Sequence, residues 1–401
     1  MRLVHLSDLH LGYRQYQRLT PGGVNQREAD VAATFRTTVD RVIALRPDLI
    51  VIAGDIFHTV RPTNQAILHA FMQFARLRTS VPDAIVVLVA GNHDTPRSSD
   101  TAGILKLFAQ LGITVVDRDA ERLVFPEREL SILAVPDVPG ISRPSLTPDP
   151  DARFNVLVLH GEVEGMLPAA MAMSDRAALE ISKEELGAAR WDYVALGHYH
   201  VYREIAPNAF YSGSIDYTSA NTWGELYEER VAETGGKGFI ERDLATGRHT
   251  FHSLPSSRPL IDLPPVSARG LSPAELDERI RGAIDAWDGG IDNKIVRLVV
   301  RDVPRHIARE LDHKAIRDYK RRALNFHLDI RRPELNRSKE SSSAPGKRQM
   351  LDLKDIVADK LRSRPLDSEV DRDVLVARAM AYIDDASSIA APPAAAALVD
   401  D

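Results

Sequence analysis

The 401-residue sequence contains no cysteine. Disulfides and thiolate metal ligands are thereby excluded, and any bound metal must use His, Asp, Glu or Asn. Long hydrophobic runs are missing as well. Nowhere does the chain reach the run of about 18 apolar residues that a membrane-spanning helix needs. The opening Met1-Arg2-Leu3-Val4-His5-Leu6-Ser7-Asp8 meets a charge too soon for a secretory signal peptide. Together these absences lead to an expected cytoplasmic location with no membrane partner. Basic charge is not in excess either. The formal net charge is −6, whereas nucleic-acid affinity comes largely from Lys and Arg on phosphates. The global value hides one local exception: eleven Lys/Arg stand against four Asp/Glu between Lys314 and Arg348, an excess of +7.

What is present is ordinary for a globular protein, with 44% hydrophobic and 27% charged residues. The length allows two or three domains. Short apolar runs predict strands at 3–7, 49–53, 86–90, 155–159 and 192–196. Each ends in residues that ligate metal or carry protons. The first gives Asp8-Leu9-His10, the second Gly54-Asp55-Ile56-Phe57-His58, and the third Gly91-Asn92-His93-Asp94. The fourth gives His160-Gly161, and the fifth Gly197-His198-Tyr199-His200. Helical spacing predicts helices at 28–45, 62–78 and 101–111, the second with a wide apolar stripe that includes Leu68, Phe71, Met72 and Phe74. Shorter strands are expected at 113–116, 121–125 and 130–135.

After about Pro255 the composition shifts, and Pro264-Pro265 reads as a boundary. An αβαβ unit follows, with helices at 272–287 and 304–323 and strands at 295–300 and 324–330. Ser338 to Gly346 reads as a linker. Two short amphipathic helices are expected at 353–361 and 370–383, on stripes such as Leu353/Ile356/Val357/Leu361 and Val370/Val374/Ala377/Ala381. Asp367-Ser368-Glu369 is the expected cap of the second. The Ala/Pro-rich end is expected to be disordered.

Ligand crevices in open α/β sheets form at the carboxyl ends of strands. Five strands that deliver carboxylates, amide and imidazoles to one edge call for a cation. The set is too large for one tetrahedral zinc site and suits two near-octahedral ions sharing a carboxylate. Hard oxygen donors mixed with imidazole favour Mn²⁺, with Fe²⁺, Zn²⁺ or Co²⁺ as alternatives. Two such ions about 3.5–4 Å apart can activate water and stabilise both reacting oxygens of a phosphate ester.

In this order the motifs resemble the calcineurin-like metallophosphoesterases. The finer resemblance, over residues 1–240, is to the SbcD nucleases, bacterial counterparts of the meiotic-recombination-eleven DNA-repair nuclease. It rests on Leu6-Ser7-Asp8-Leu9-His10-Leu11-Gly12, Gly54-Asp55-Ile56-Phe57-His58, Gly197-His198-Tyr199-His200 and Ser212-Gly213-Ser214. The resemblance implies a four-layer αββα sandwich, where the strand pattern alone suggests one sheet. It also implies a small α/β capping domain and a helical C-terminal tail. By similarity, Asp8, His10, Asp55 and His200 hold one ion. Asp55, Asn92, His160 and His198 hold the other. His93 is then a general acid or charge stabiliser, with Asp94 orienting it, and His58 is expected to position a DNA end. Residues 13–28 and 162–175 match no motif of the family.

The implied activity is dinuclear-metal-dependent hydrolysis of DNA phosphodiesters, exo- and endonucleolytic. It would be exerted as a dimer with an SbcC-type SMC-like ATPase. The expected division is 1–260 nuclease, 261–335 DNA-binding cap, 336–347 linker, 348–386 partner-binding helices and 387–401 disordered tail. A phosphoprotein phosphatase, a cyclic-nucleotide phosphodiesterase and a non-catalytic DNA-binding scaffold remain open on the motifs alone.

Overall fold

The computed structural model describes residues 1–96, 103–142, 144–165, 177–333, 357–358, 360–362 and 371–389. The chain falls into two units, Met1–Glu334 and Leu335–Asp401.

The first unit begins with β1 (Arg2–Leu6), α1 (Gln26–Leu45), β2 (Leu49–Ala53), α2 (Asn64–Ser80), β3 (Ile85–Val89) and β4 (Thr114–Val116). The helix expected over 101–111 is a 3-10 helix, Ile104–Leu111; residues 101 and 102 lie outside the described residues. Next come β5 (Glu121–Phe125), β6 (Leu130–Val135), β7 (Phe154–His160), β8 (Glu162–Val163), β9 (Glu180–Ile181), α3 (Lys183–Leu186) and β10 (Tyr193–Gly197). After these stand β11 (Arg203–Ala206), β12 (Ala209–Tyr211), α4 (Thr222–Val231), β13 (Gly238–Asp243) and β14 (His249–Ser253).

Two six-stranded sheets result, ordered β14-β13-β1-β2-β3-β4 and β11-β12-β10-β7-β6-β5. Within them β1 through β4 are parallel, as are β6, β7, β10 and β12. The single sheet suggested by the strand pattern is therefore two. Alternation explains how both faces are filled. On β1 and β2, Leu3, Leu49 and Val51 pack inward against Ile132, Val156, Val158 and Tyr193 of the other sheet. Val4, Leu6, Ile50 and Ile52 face outward against Phe35, Phe74 and Phe108 of the helical layer. The second sheet turns Leu157, Leu159, Val194 and Leu196 outward onto Leu186 and Trp191. Strands buried on both faces read as continuous apolar runs, which hides the inter-sheet side from the sequence.

A separate three-stranded parallel sheet follows, ordered β15-β16-β17. It comprises β15 (Leu260–Ser267), α5 (Pro273–Asp285), β16 (Ile295–Arg301), α6 (Arg305–Glu310), α7 (His313–Arg322) and β17 (Asn325–Ile330). It has its own hydrophobic cluster, including Leu276, Ile280, Val296, Leu298 and Phe326. Two expectations are corrected here. Pro264-Pro265 is no boundary: it lies within β15 at a register shift between Leu263 and Val266. Proline is tolerated there because β15 is an edge strand that need not donate to a second neighbour. The helix expected over 304–323 is two helices, because Asp312 leaves helical geometry and caps α7 by accepting from the N–H groups of Lys314 and Ala315 (2.9 and 3.0 Å).

In the second unit, α8 (Arg372–Ile389) starts two residues after the expected position and runs three residues into the segment expected to be disordered. Its cap is Asp371, whose Oδ1 accepts from Asp373 and Val374, not the Asp367–Glu369 stretch. The linker, that stretch and most of the first tail helix lie outside the described residues.

Candidate metal centre

β1, β2, β3, β7 and β10 all end at one edge of the sandwich, so their terminal residues converge. The turns there are tight. Asp8, His10, Asp55 and His198 have positive φ values of 51°, 44°, 52° and 103°, a region that non-glycine residues rarely occupy and that clusters at functional sites. Glycine is required where the loops touch. A Cβ on Gly91 would sit 2.1 Å from Asp55 Oδ1, and one on Gly197 would sit 1.7 Å from the Ala53 carbonyl oxygen.

The donor atoms form two adjoining groups. In the first, His10 Nε2 lies 3.0 Å from His200 Nε2, and His200 Nε2 lies 3.9 Å from Asp8 Oδ1. In the second, His160 Nε2 lies 3.1 Å from Asn92 Oδ1. Asp55 Oδ2 stands between the groups, 3.7 Å from His10 Nε2 and 3.6 Å from His160 Nε2. The His198 ring packs edge-on against His160, and its backbone N–H donates to Asp8. Two imidazole nitrogens pointed at each other and two buried carboxylates fit a pair of divalent cations. Asp8 with His10 and His200, Asp8 with Asp55 and His160, and His10 with His58 and His93 each bring one ligand atom per residue within 4.8 Å of one another. Outer partners orient the rings. His160 Nδ1 donates to the Ala53 carbonyl (2.8 Å) and His200 Nδ1 to Glu225 Oε1 (3.2 Å).

Electrostatics reflect crowding. Burial and then the neighbouring imidazoles of His200, His93, His58 and His160 hold His10 well below the usual histidine range. Burial pushes the Asp55 carboxyl up against the opposing pull of His160 and His93. Burial would lower His160 and His200, but the facing carboxylates outweigh it and raise both.

His93 and His58 flank this centre. Their rings stack with centroids 5.3 Å apart, and His93 meets His10 edge-on at 4.9 Å. His93 Nδ1 donates to the carbonyl of His58 (2.7 Å), so that carbonyl sets the ring. Asp94, expected to orient His93, spends its carboxylate on the backbone. Its carboxylate accepts from the backbone N–H groups of Ile56, Phe57 and Gly91. It ties the Asp55 loop to the Asn92 loop, and burial followed by the Asp55 charge pushes it up to about 7. His58 Nδ1 lies 3.3 Å from His10 Nδ1, and both histidines line a cleft of ≈ 290 Å³ walled by Tyr199 and by Thr218 to Asn221.

One cluster escaped the sequence reading. Glu225 and Glu229, four apart on α4, share the buried Lys237 at 2.5 and 3.1 Å. A Glu pair at helical spacing is too common a pattern to flag.

With fold and centre in view, the family model for calcineurin-like phosphoesterase matches residues 1–202. The chain belongs to the calcineurin-like phosphoesterase family. Among proteins it resembles is the DNA double-strand break repair protein Mre11 of Methanocaldococcus jannaschii, 25% identical over 61% of this chain and 63% of that protein. The protein of the same name from Sulfurisphaera tokodaii is 27% identical over 76% of this chain and 75% of its own length. That of Methanosarcina mazei is 26% identical over 84% and 58%. The chain thus spans less than two thirds of the length of the first and third of these relatives.

Proposed function

We propose that this chain is a divalent-metal-dependent nuclease hydrolysing DNA phosphodiester bonds. The observation that carries the reading is the pair of adjoining donor groups with Asp55 Oδ2 between them, opening on a cleft. Asp8, His10, Asp55 and His200 would hold one ion, and Asp55, Asn92, His160 and His198 the other. Mn²⁺ suits the mixed oxygen and imidazole donors. When bound, the ions supply Lewis acidity toward the phosphate oxygens and lower the pKa of water. The chain's own residues do the rest. Fixed by the His58 carbonyl, His93 presents its ring to the cleft, where it hydrogen-bonds a phosphate oxygen and gives a proton to the leaving oxygen. His58, beside it on the wall, meets the DNA end.

DNA as the substrate is supported by the relatives, which are DNA double-strand break repair proteins, and by α7. That helix buries Ile316 and Tyr319 and exposes Lys314, Arg317, Lys320, Arg321 and Arg322, a sequence-independent grip for phosphates. Residues 261–335 act in this reading as the cap. The exposed pair Leu68 and Met72 on α2, at 64% and 65% exposure, serves a homodimer. The helices within 348–386 serve a coiled-coil ATPase of the SbcC type. Among the described residues no helix is long and apolar enough to cross a membrane, and the proposed location is the cytoplasm. The nuclease acts at DNA ends and within strands.

Two assays on the full chain test this together. Metal analysis should find bound divalent ion, and none would leave a non-catalytic scaffold. With Mn²⁺ the protein should cleave both an aryl phosphodiester and DNA. Cleavage of the aryl substrate alone would favour a phosphatase or cyclic-nucleotide phosphodiesterase.

A further inference from the structure

α4 presents two different faces. Its start is fixed by Asn221, whose side chain accepts from the Gly224 N–H (3.2 Å). Trp223 faces the three-stranded sheet, where the Arg297 guanidinium lies over its ring. Glu225 and Glu229 face inward, each 4% exposed.

Glu225 has two distinct partners. Oε1 accepts from His200 Nδ1 at 3.2 Å, and Oε2 meets Lys237 Nζ at 2.5 Å. Lys237, 3% exposed, also donates to the His200 carbonyl at 2.8 Å and meets Glu229 Oε1 at 3.1 Å. Glu229 in turn accepts from the Tyr217 hydroxyl at 2.6 Å. Side chain and backbone of His200 are thus gripped by one buried ionic group. Such groups are poor stabilisers, because desolvation offsets their attraction and apolar replacements often do as well.

We propose that Glu225, locked by Lys237, is a positioning residue: it fixes the His200 imidazole with Nδ1 protonated and Nε2 turned to the ion held by Asp8, His10 and His200. Outer carboxylates of this kind raise the basicity of a ligating imidazole, and their loss typically weakens metal binding about 10–100-fold. The inference rests on the metal-centre reading above. Glu229 shares Lys237 but does not touch His200, so it is the built-in control.

Calorimetric titration of the metal-free full chain with Mn²⁺ tests the proposal. The wild type should bind two ions, and binding of none would refute the metal-centre reading itself. Glu225→Gln should weaken one of the two about 10–100-fold and leave the other near the wild-type affinity. Glu229→Gln should leave both within about threefold, well below that loss. Unchanged binding in Glu225→Gln, or equal losses in the two variants, would overturn the positioning role. If Glu225→Gln does not fold, the wild type decides. Imidazole nitrogen NMR with Zn²⁺ as the probe should find His200 protonated at Nδ1 and metal-bound at Nε2, and zinc on Nδ1 would overturn the proposal.

Discussion

Asp55 is the residue on which the centre turns, since one of its oxygens faces both groups of donors. Asp55→Asn should therefore lose activity together with much of the bound metal, as metal analysis of the purified variant would register. In the proposed split of roles His93→Gln keeps the metal, a discriminating test because His93 also stands with His10 and His58 as a possible donor group; a stripped variant would contradict that split. His5, far from the centre, gives a pH prediction. It is fully buried between the sheets with Nδ1 3.0 Å from the Tyr193 hydroxyl, and burial pushes it down to about 3. Below the ordinary histidine pKa the unfolded chain takes up a proton that the folded chain refuses. Stability is thus lost as pH falls from about 6.5 toward 3, by up to about 1.4 kcal/mol per pH unit. Urea unfolding between pH 7 and 4 should show a shallower loss for His5→Asn than for the wild type. Ligand candidates were legible in the sequence because each follows a short apolar run and most adjoin a glycine. Glu225 and Lys237 were not, because their meaning depends on α4 meeting His200, in the loop after β10, and Lys237 just before β13, which no local pattern announces.

At the scale of elements, α2 carries the clearest unspent surface. Phe74 is fully buried and Phe71 partly so, while Leu68 and Met72, one turn apart, are exposed. Leu68→Asp should lower the mass measured by light scattering from dimer to monomer without unfolding the chain. An unchanged mass with folding intact would count against this interface. The apolar periodicity of α1 and α2 was readable, and their ends were readable to within two residues. The two-sheet architecture was not readable from the strands, since Leu3 and Val4 are equally apolar yet face opposite layers. The break between α6 and α7 was missed because the apolar spacing continues across it; the cap formed by Asp312 was the signal. Pro264-Pro265 misled in the opposite direction, since an edge strand can absorb what a central one cannot.

At the scale of the whole molecule, the first unit holds the two-sheet sandwich with the candidate metal centre and the three-stranded sheet with its basic helix α7, and the second holds a helix with exposed apolar residues such as Val374, 60% exposed. Deleting residues 348–401 should leave hydrolysis of simple substrates intact and abolish capture of an SbcC-type ATPase in a pull-down; retained capture would refute the assignment of the tail. Polar contacts tie the three-stranded-sheet segment to the sandwich: Arg258, at the junction, is clamped on Asp30 and donates to the Asn293 carbonyl, and Arg18 donates to the carbonyls of Arg321 and Ala323. The basic helix therefore stands on the same unit as the metal centre. The most direct test of the whole account is the rate at which the full chain shortens end-labelled double-stranded DNA in Mn²⁺, wild type beside His93→Gln. The wild type should shorten the DNA in a metal-dependent way, and the variant about 10²–10⁴-fold more slowly. DNA left intact by a wild-type protein that has bound its metal, or equal rates for the two proteins, would contradict it.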